Sequence, residues 1–362
     1  MASYLRILLI AILIASIGIL TIYSSTYQKG TKLWQQQILW VVSGMFAFFI
    51  MSNFNYRRLW DVTYFLYGFV LILLLLVSLL GVVRLGAQRW LKFGGFNFQP
   101  SELVKLIMVI FLSRYFSKKS VDDVALLSGR LGIFRGLILP FIFVAIPVWL
   151  IIEQPDLGSG AMVLFIFFAM FYLAGVKLRY IFIFSLIIIL SLPLFWQILR
   201  DYQKERLLVF LNPNIDPLGA GYTLIQSKIA IGSGGFLGKG WLAGTQSQLH
   251  FLPESHTDFI FATLAEQWGF WGSAILLSLY YLLIREGFLI AQRTSDYFGR
   301  LLALGISLML GIQVFINIAM TMGLMPVVGI PLPLMSYGGS SLVMTFISLG
   351  ILVNIDKRRA VF

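Results

Sequence analysis

Long apolar runs separated by short polar breaks dominate the chain, and residues 5–23, 66–80, 161–174 and 181–196 carry at most one charge each. A helix needs about 20 mostly apolar residues to cross a bilayer, and these runs supply that length or nearly so. The pattern predicts an all-α polytopic membrane protein with about ten transmembrane helices, at roughly 5–23, 35–52, 62–80, 102–116, 136–152, 159–175, 180–197, 260–284, 300–322 and 336–354. The first run is too long for a signal peptide, shows no small-residue cleavage pattern before Tyr27, and is followed by further spans, so it reads as a retained helix.

Composition agrees with the pattern. Apolar residues make up 59% of 362 positions and charged residues 12%, which excludes an ordinary soluble domain. Cysteine is absent, so disulfides, thiolate metal sites and a cysteine nucleophile are excluded. A net charge of +12 would suggest nucleic acid in a soluble protein, but here its placement sets orientation and no nucleic-acid partner is expected. With the N-terminus inside, 16 of the 27 lysines and arginines and 6 of the 15 acids face inward, which leaves +10 there and +2 outside. The positive-inside rule then puts both termini in the cytoplasm. The basic inner loop at 117–135 reads as part of that orienting charge.

The chain forms one transmembrane domain, 1–362, whose single long connection is a large extracytoplasmic loop at about 199–259. Long structured loops commonly carry function. This one holds turn residues from Asn212 to Gly219, an amphipathic stretch at 222–231 expected to lie on the membrane surface, and a glycine cluster at 232–240. Two other outer connections, 81–100 and 323–335, are expected to meet it around one cavity.

The chemistry-bearing residues gather in these connections. Glu102 and Lys105 lie three apart on one helix face after Gln99-Pro100-Ser101, where ionisable groups are costly unless paired or facing water. A helix-end salt bridge is the bland alternative. Asp258 closes the densest polar run, 244–258, just before an apolar helix. A carboxylate partly removed from water can act as a general base near neutrality, and Asp or Thr257 there would equally serve as a helix N-cap; the residues alone leave both open. Glu254, His250 and His256 crowd the same turn, but their spacing matches no zinc signature. The glycine cluster is not a Walker motif, since Ser233 and Gly240 stand where Gly and Ser/Thr are required; it could carry Lys239 toward an anionic group. The segments 153–158 and 333–341 read first as turn and cap chemistry.

Taken in order, Arg89-Trp90, Gln99-Pro100-Ser101-Glu102, Gln154-Pro155-Asp156-Leu157-Gly158, Asn212-Pro213, Asp216-Pro217, Gly244-Thr245-Gln246, Pro253-Glu254, His256-Thr257-Asp258-Phe259 and Ser336-Tyr337-Gly338-Gly339-Ser340-Ser341 make the chain resemble, along nearly its whole length, the SEDS family of shape, elongation, division and sporulation proteins. The run from Gly238 to Trp241 leading into Gly244-Thr245-Gln246-Ser247 looks more like the elongation branch than the division branch, although Ser255 stands where that branch commonly carries Arg.

The resemblance implies an inverting glycosyltransferase that polymerises lipid II into glycan strands at the outer face of the cytoplasmic (inner) membrane during cell elongation. Its substrate would be an undecaprenyl-diphosphate-linked disaccharide-peptide, and its partners a class B penicillin-binding protein (a transpeptidase) and other elongation-complex membrane proteins. Asp258 matches the family position for the base. Lys105, Arg89 and Lys239 would steady the departing diphosphate, with a divalent cation (Mg or Mn) as the one cofactor considered, and Glu102 would position Lys105. Gln99, Ser101, Gln246, Glu254, His256 and Ser336 would complete the substrate site. The rival readings are a flippase for the same lipid-linked precursor, for which an intramembrane charge pair is equally natural, and a non-catalytic scaffold.

Overall fold

The computed structural model describes residues 3–28, 30–84, 87–93, 96–117, 136, 138–199, 201–219, 221–249 and 251–358. His250, Arg359 and most of the basic inner loop, 118–135, lie outside them. Three helices, α1 (Ser3–Thr26), α2 (Leu33–Asn53) and α3 (Arg57–Leu80), precede a small sheet of β1 (Val82–Arg84), β2 (Ala87–Phe93) and β3 (Phe96–Phe98). Then follow α4 (Pro100–Ser117), α5 (Leu139–Glu153), α6 (Leu157–Leu173) and α7 (Leu178–Ile198). The large loop contains α8 (Asp201–Leu211), α9 (Tyr222–Gly234) and the single turn α10 (Thr245–Gln248). Three helices close the chain: α11 (Ile260–Arg293), α12 (Tyr297–Met322) and α13 (Gly339–Arg358).

A helix occupies each of the ten apolar stretches, and six are long and apolar enough to cross a membrane. Their ends follow local chemistry. The Asp296 carboxylate accepts from Gly299 N at 2.9 Å to open α12, and Gly323, in the left-handed region, closes it. Lys357 and Arg358 sit in the last turn of α13, where the helix dipole favours cations.

Packing is centred on α4 and α12. From Val104 to Ser113, α4 is buried without interruption, as a helix apolar on all sides but for Lys105 and Ser113 must be. It lies between α3, α6 and α12, while α13 runs along α2 and α11 along α12. The amphipathic stretch in the large loop becomes α9, which packs on α11 and α12 and ties Ser227 Oγ to Thr321 O at 2.7 Å.

Two features depart from the sequence expectation. The connection at 81–100 is an antiparallel meander in the order β1-β2-β3, so the fold is helical with one small sheet. Alternation explains it: Leu91 turns inward against Leu73 and Val77 of α3, and the strand then places Arg89 on that same inward face. The second is a break in α11 at Gly269 (φ 63°, ψ −154°). Segment 235–240 crosses there, so that Phe270 N donates to Gly235 O at 2.9 Å, and Lys239 N and Gly240 N donate to Glu266 O and Gln267 O, each at 3.0 Å. A Cβ on Gly269 would lie 2.4 Å from Gly238 N, so both the backbone conformation and the close approach require glycine.

Candidate functional site

The segment before α11 is held carbonyl by carbonyl. His256 O accepts from Tyr337 N at 2.9 Å, Thr257 O from Ser336 Oγ at 2.7 Å, and Asp258 O from Asn317 Nδ2 at 2.9 Å. Ser336 Oγ also accepts from Leu332 N at 2.8 Å, and Ser336 O accepts from Gln37 Nε2 at 3.0 Å. Ser336 thus ties two backbone segments together through its hydroxyl, while the His256 carbonyl is engaged and its ring lies 5.8 Å from that of Tyr337.

With its carbonyl fixed, Asp258 presents a half-buried carboxylate. It caps no helix: α11 begins at Ile260, Phe259 occupies the capping position, and no side chain caps it. That removes the N-cap reading of Asp258 and Thr257. Burial pushes the Asp258 carboxyl up to about 6, Glu254 adds to the rise, Arg206 and Arg89 oppose it, and Asp156 adds a little. Glu254 is exposed, adopts φ 50°, and accepts from Thr257 Oγ1 at 2.9 Å.

Arg89 and this carboxylate both approach Gly329. A Cβ on Gly329 would lie 3.4 Å from Asp258 Oδ2 and 3.9 Å from Arg89 Nη1, and its φ of 71° also favours glycine. Arg89 is itself held: Nη2 donates to Pro155 O, Nη1 lies 3.6 Å from Asp156 Oδ1, and the buried Nε has no partner. Asp156 opens α6 by accepting from Ser159 N at 3.2 Å, as the turn-and-cap reading of its segment expects. The same carboxylate also accepts from Gln99 Nε2 and Ser101 Oγ, both at 3.4 Å. One buried acid thus gathers Arg89, Gln99 and Ser101. Beside it opens a small cleft lined by Arg89, Pro155 and Leu157, by Gln203 and Arg206 from α8, and by Val327 and Val328.

Two predicted residues sit deeper. Glu102 and Lys105 are 4% and 3% exposed and pair at 2.8 Å, as their spacing predicts. Lys105 Nζ also donates to Gln313 Oε1 at 3.2 Å, and Gln313 Nε2 donates to Pro331 O at 2.9 Å. Lys105 thus connects to the Gly329 loop through α12.

Lys239 is drawn elsewhere. Its Nζ donates to Glu266 Oε1 at 2.8 Å, and that fully buried carboxylate also accepts from Thr245 Oγ1 at 3.1 Å and Gln246 N at 2.9 Å. Gln246 serves through its backbone, while its Oε1 is buried without a partner. The anionic group that Lys239 meets is thus a protein carboxylate, which the sequence reading did not foresee. Sequence reasoning also passed over Asp156 as the organiser of Arg89, Arg206 in the cleft, and Gln313 and Asn317. The last two carried a signal, being amides four apart in an apolar helix.

Among the described residues no group of three or more His, Asp or Glu could hold a metal ion. The donors around Asp258 do not assemble a cation cage, and no step is assigned to a divalent ion.

A family model of cell cycle proteins, covering FtsW, RodA and SpoVE, matches residues 4–360. The peptidoglycan glycosyltransferase MrdB of Escherichia coli (strain K12) is 42% identical over 354 residues, covering 98% of this chain and 92% of that protein. Among solved structures, a chain of a peptidoglycan synthase complex described as coordinating polymerization and crosslinking aligns with TM-score 0.80 and 34% identity, covering 98% of this chain and 97% of its own. The rod shape determining protein RodA of Thermus thermophilus aligns with TM-score 0.72 and 28% identity, over 98% of this chain and 96% of that one.

Proposed function

Because this chain belongs to the FtsW/RodA/SpoVE family of cell cycle proteins, we propose that it is a multi-pass membrane peptidoglycan glycosyltransferase of the RodA type, polymerising lipid II with Asp258 as general base. The observation that carries the assignment of the base is the carboxylate itself. It is relieved of any capping role, its carbonyl is clamped, its proton affinity is raised by burial, and a guanidinium approaches the same glycine, Gly329. A carboxyl with a pKa of about 6 is roughly 90% ionised near pH 7 and is a stronger base than an ordinary aspartate.

The reaction needs little else. Asp258 takes the proton of a sugar hydroxyl on one lipid-linked disaccharide as that oxygen bonds to the anomeric carbon of another. The bond from that carbon to the diphosphate breaks, and its electron pair leaves on the diphosphate oxygen. One base and one leaving group give inversion without a covalent intermediate. Arg89, fixed by Asp156 and Pro155, and Arg206, which lines the same cleft, would neutralise that leaving charge. Lys105 supports the Gly329 loop through Gln313, and Lys239 braces the Gln246 turn on Glu266.

The site faces outward from the cytoplasmic membrane on this reading. The inner excess of lysine and arginine supports that orientation, and the likeness to a synthase complex that coordinates polymerization and crosslinking supports a class B penicillin-binding protein as partner. Purified protein given lipid II in detergent should form glycan strands, alone or with that partner, and Asp258→Asn should not. Because no membrane is present, a flippase or a scaffold would form none, and strands made at native rate by Asp258→Asn would refute the assigned base.

A further inference from the structure

Asn317 is fully buried in α12, within the membrane-spanning bundle, and spends both hydrogens of its amide on the site. Nδ2 donates to Asp258 O at 2.9 Å and to Ile330 O at 2.7 Å. Its Oδ1 is buried and has no partner. An amide whose donors are both used and whose acceptor is stranded is a costly residue to keep in an apolar helix, and two hydrogen bonds are what it supplies in return.

Those bonds join two loops that carry the reacting geometry. One ends in Asp258. The other contains Gly329, where a Cβ would come within 3.4 Å of Asp258 Oδ2 and 3.9 Å of Arg89 Nη1. One turn away on the same helix face, Gln313 holds Pro331 O of the same loop. The Gly329 loop is thus pinned at 330 and 331 by consecutive rungs of α12, and only the Asn317 rung reaches across to the base. We propose that Asn317 is a positioning residue, an amide that, beside the Ser336 hydroxyl, fixes how the Asp258 carboxylate stands against the Gly329 loop, and so against Arg89 next to that loop, by bridging the backbones of the Asp258 turn and the loop.

The inference rests on the reading of Asp258 as the base. The charged groups facing Asp258 are Glu254 on its own turn, Arg206 from α8, Arg89 from β2 and Asp156 at the start of α6. Releasing the clamp shifts the carboxylate relative to Arg206, Arg89 and Asp156 and opens it further to water.

Polymerisation of lipid II by the purified full chain in detergent, followed across pH for the native protein, Asn317→Leu and Asn317→Ser, tests this. Leucine keeps the volume and removes both donors, whereas serine keeps one. Displacement of a reacting group by about 1 Å costs up to about 100-fold, so Asn317→Leu should lower kcat by about 10- to 100-fold with KM within about threefold. Its rate inflection should move below about 6, toward the ordinary carboxylate range, as Asp258 hydrates. Asn317→Ser should fall between it and the native protein, and decides the matter if the leucine variant fails to fold. Native kcat and inflection in the variants, or a lower kcat with the inflection unmoved, would overturn the proposal. Asp258→Asn measured alongside separates the two readings: full activity there removes the base itself, while its inactivity beside a native Asn317→Leu removes only the clamp.

Discussion

Replacing Asp258 by asparagine should make the protein more stable at high pH and leave its stability at low pH unchanged. Folding raises the carboxyl from 3.8 to about 6, a difference of roughly 2 units, and each unit is worth about 1.36 kcal/mol. A raised pKa means that ionisation favours the unfolded chain. The native protein therefore keeps its full stability below about pH 4, loses it progressively as pH climbs toward about 6, and bears a constant penalty above that. The upper bound is about 3 kcal/mol, and because the side chain is only half-buried, about 1–2 kcal/mol is the expected figure. Asparagine carries no charge at any pH and escapes the penalty. Apparent Tm of the two proteins in one detergent, taken from about pH 4 to about pH 8, reads this effect, because titrating groups remote from Asp258 cancel in the difference. The curves should coincide at the acid end and separate by a few degrees at the alkaline end, with the variant higher. A variant that is less stable at pH 8 would show that the pull of Arg89 and Arg206 outweighs burial, and the account of how this base is tuned would be wrong.

Three more outcomes follow from the geometry. Lys239→Ala takes one donor from the fully buried Glu266 and leaves Thr245 and the Gln246 amide in place, so it should cost about 1–3 kcal/mol of stability, partly restored by adding Glu266→Gln in a double variant. Gly329→Ala places a methyl 3.4 Å from Asp258 Oδ2 at a backbone φ of 71°; lipid II polymerisation should fall at least about tenfold with about 1–2 kcal/mol of destabilisation, seen by comparing rate with Tm. Arg206→Ala removes a cation that holds the Asp258 carboxyl down, so the inflection of its pH–rate profile should move above about 6 while the maximal rate drops.

What could be read from the sequence, and what could not, divides along the range of the interaction. The apolar stretches were legible because span length is a property of consecutive residues, and the Glu102–Lys105 pair because three residues on a helix are neighbours. The meander at 82–98 was not, since its strands are short and its stability comes from Leu91 docking on α3. Lys239 beside a glycine cluster suggested an anion, but its acid lies 27 residues further on, inside a helix that the segment crosses at Gly269. Asp258 was legible as an ionisable group at a helix start, and the position of Ile260 is what removes the cap reading. Asn317 and Gln313 stood in plain view as amides in an apolar run, yet which loops they hold depends on contacts reaching back to Lys105 and Asp258.

The central claim is that Asp258 removes the acceptor proton in glycan polymerisation. The most direct measurement is the polymerisation rate of purified protein with lipid II in detergent, from about pH 5 to about pH 8, for the native chain and Asp258→Asn. The native rate should rise through an inflection near 6, and the variant should be slower by about 10²- to 10⁴-fold with no such inflection. A variant that polymerises at the native rate, or that keeps the same inflection, would contradict the account.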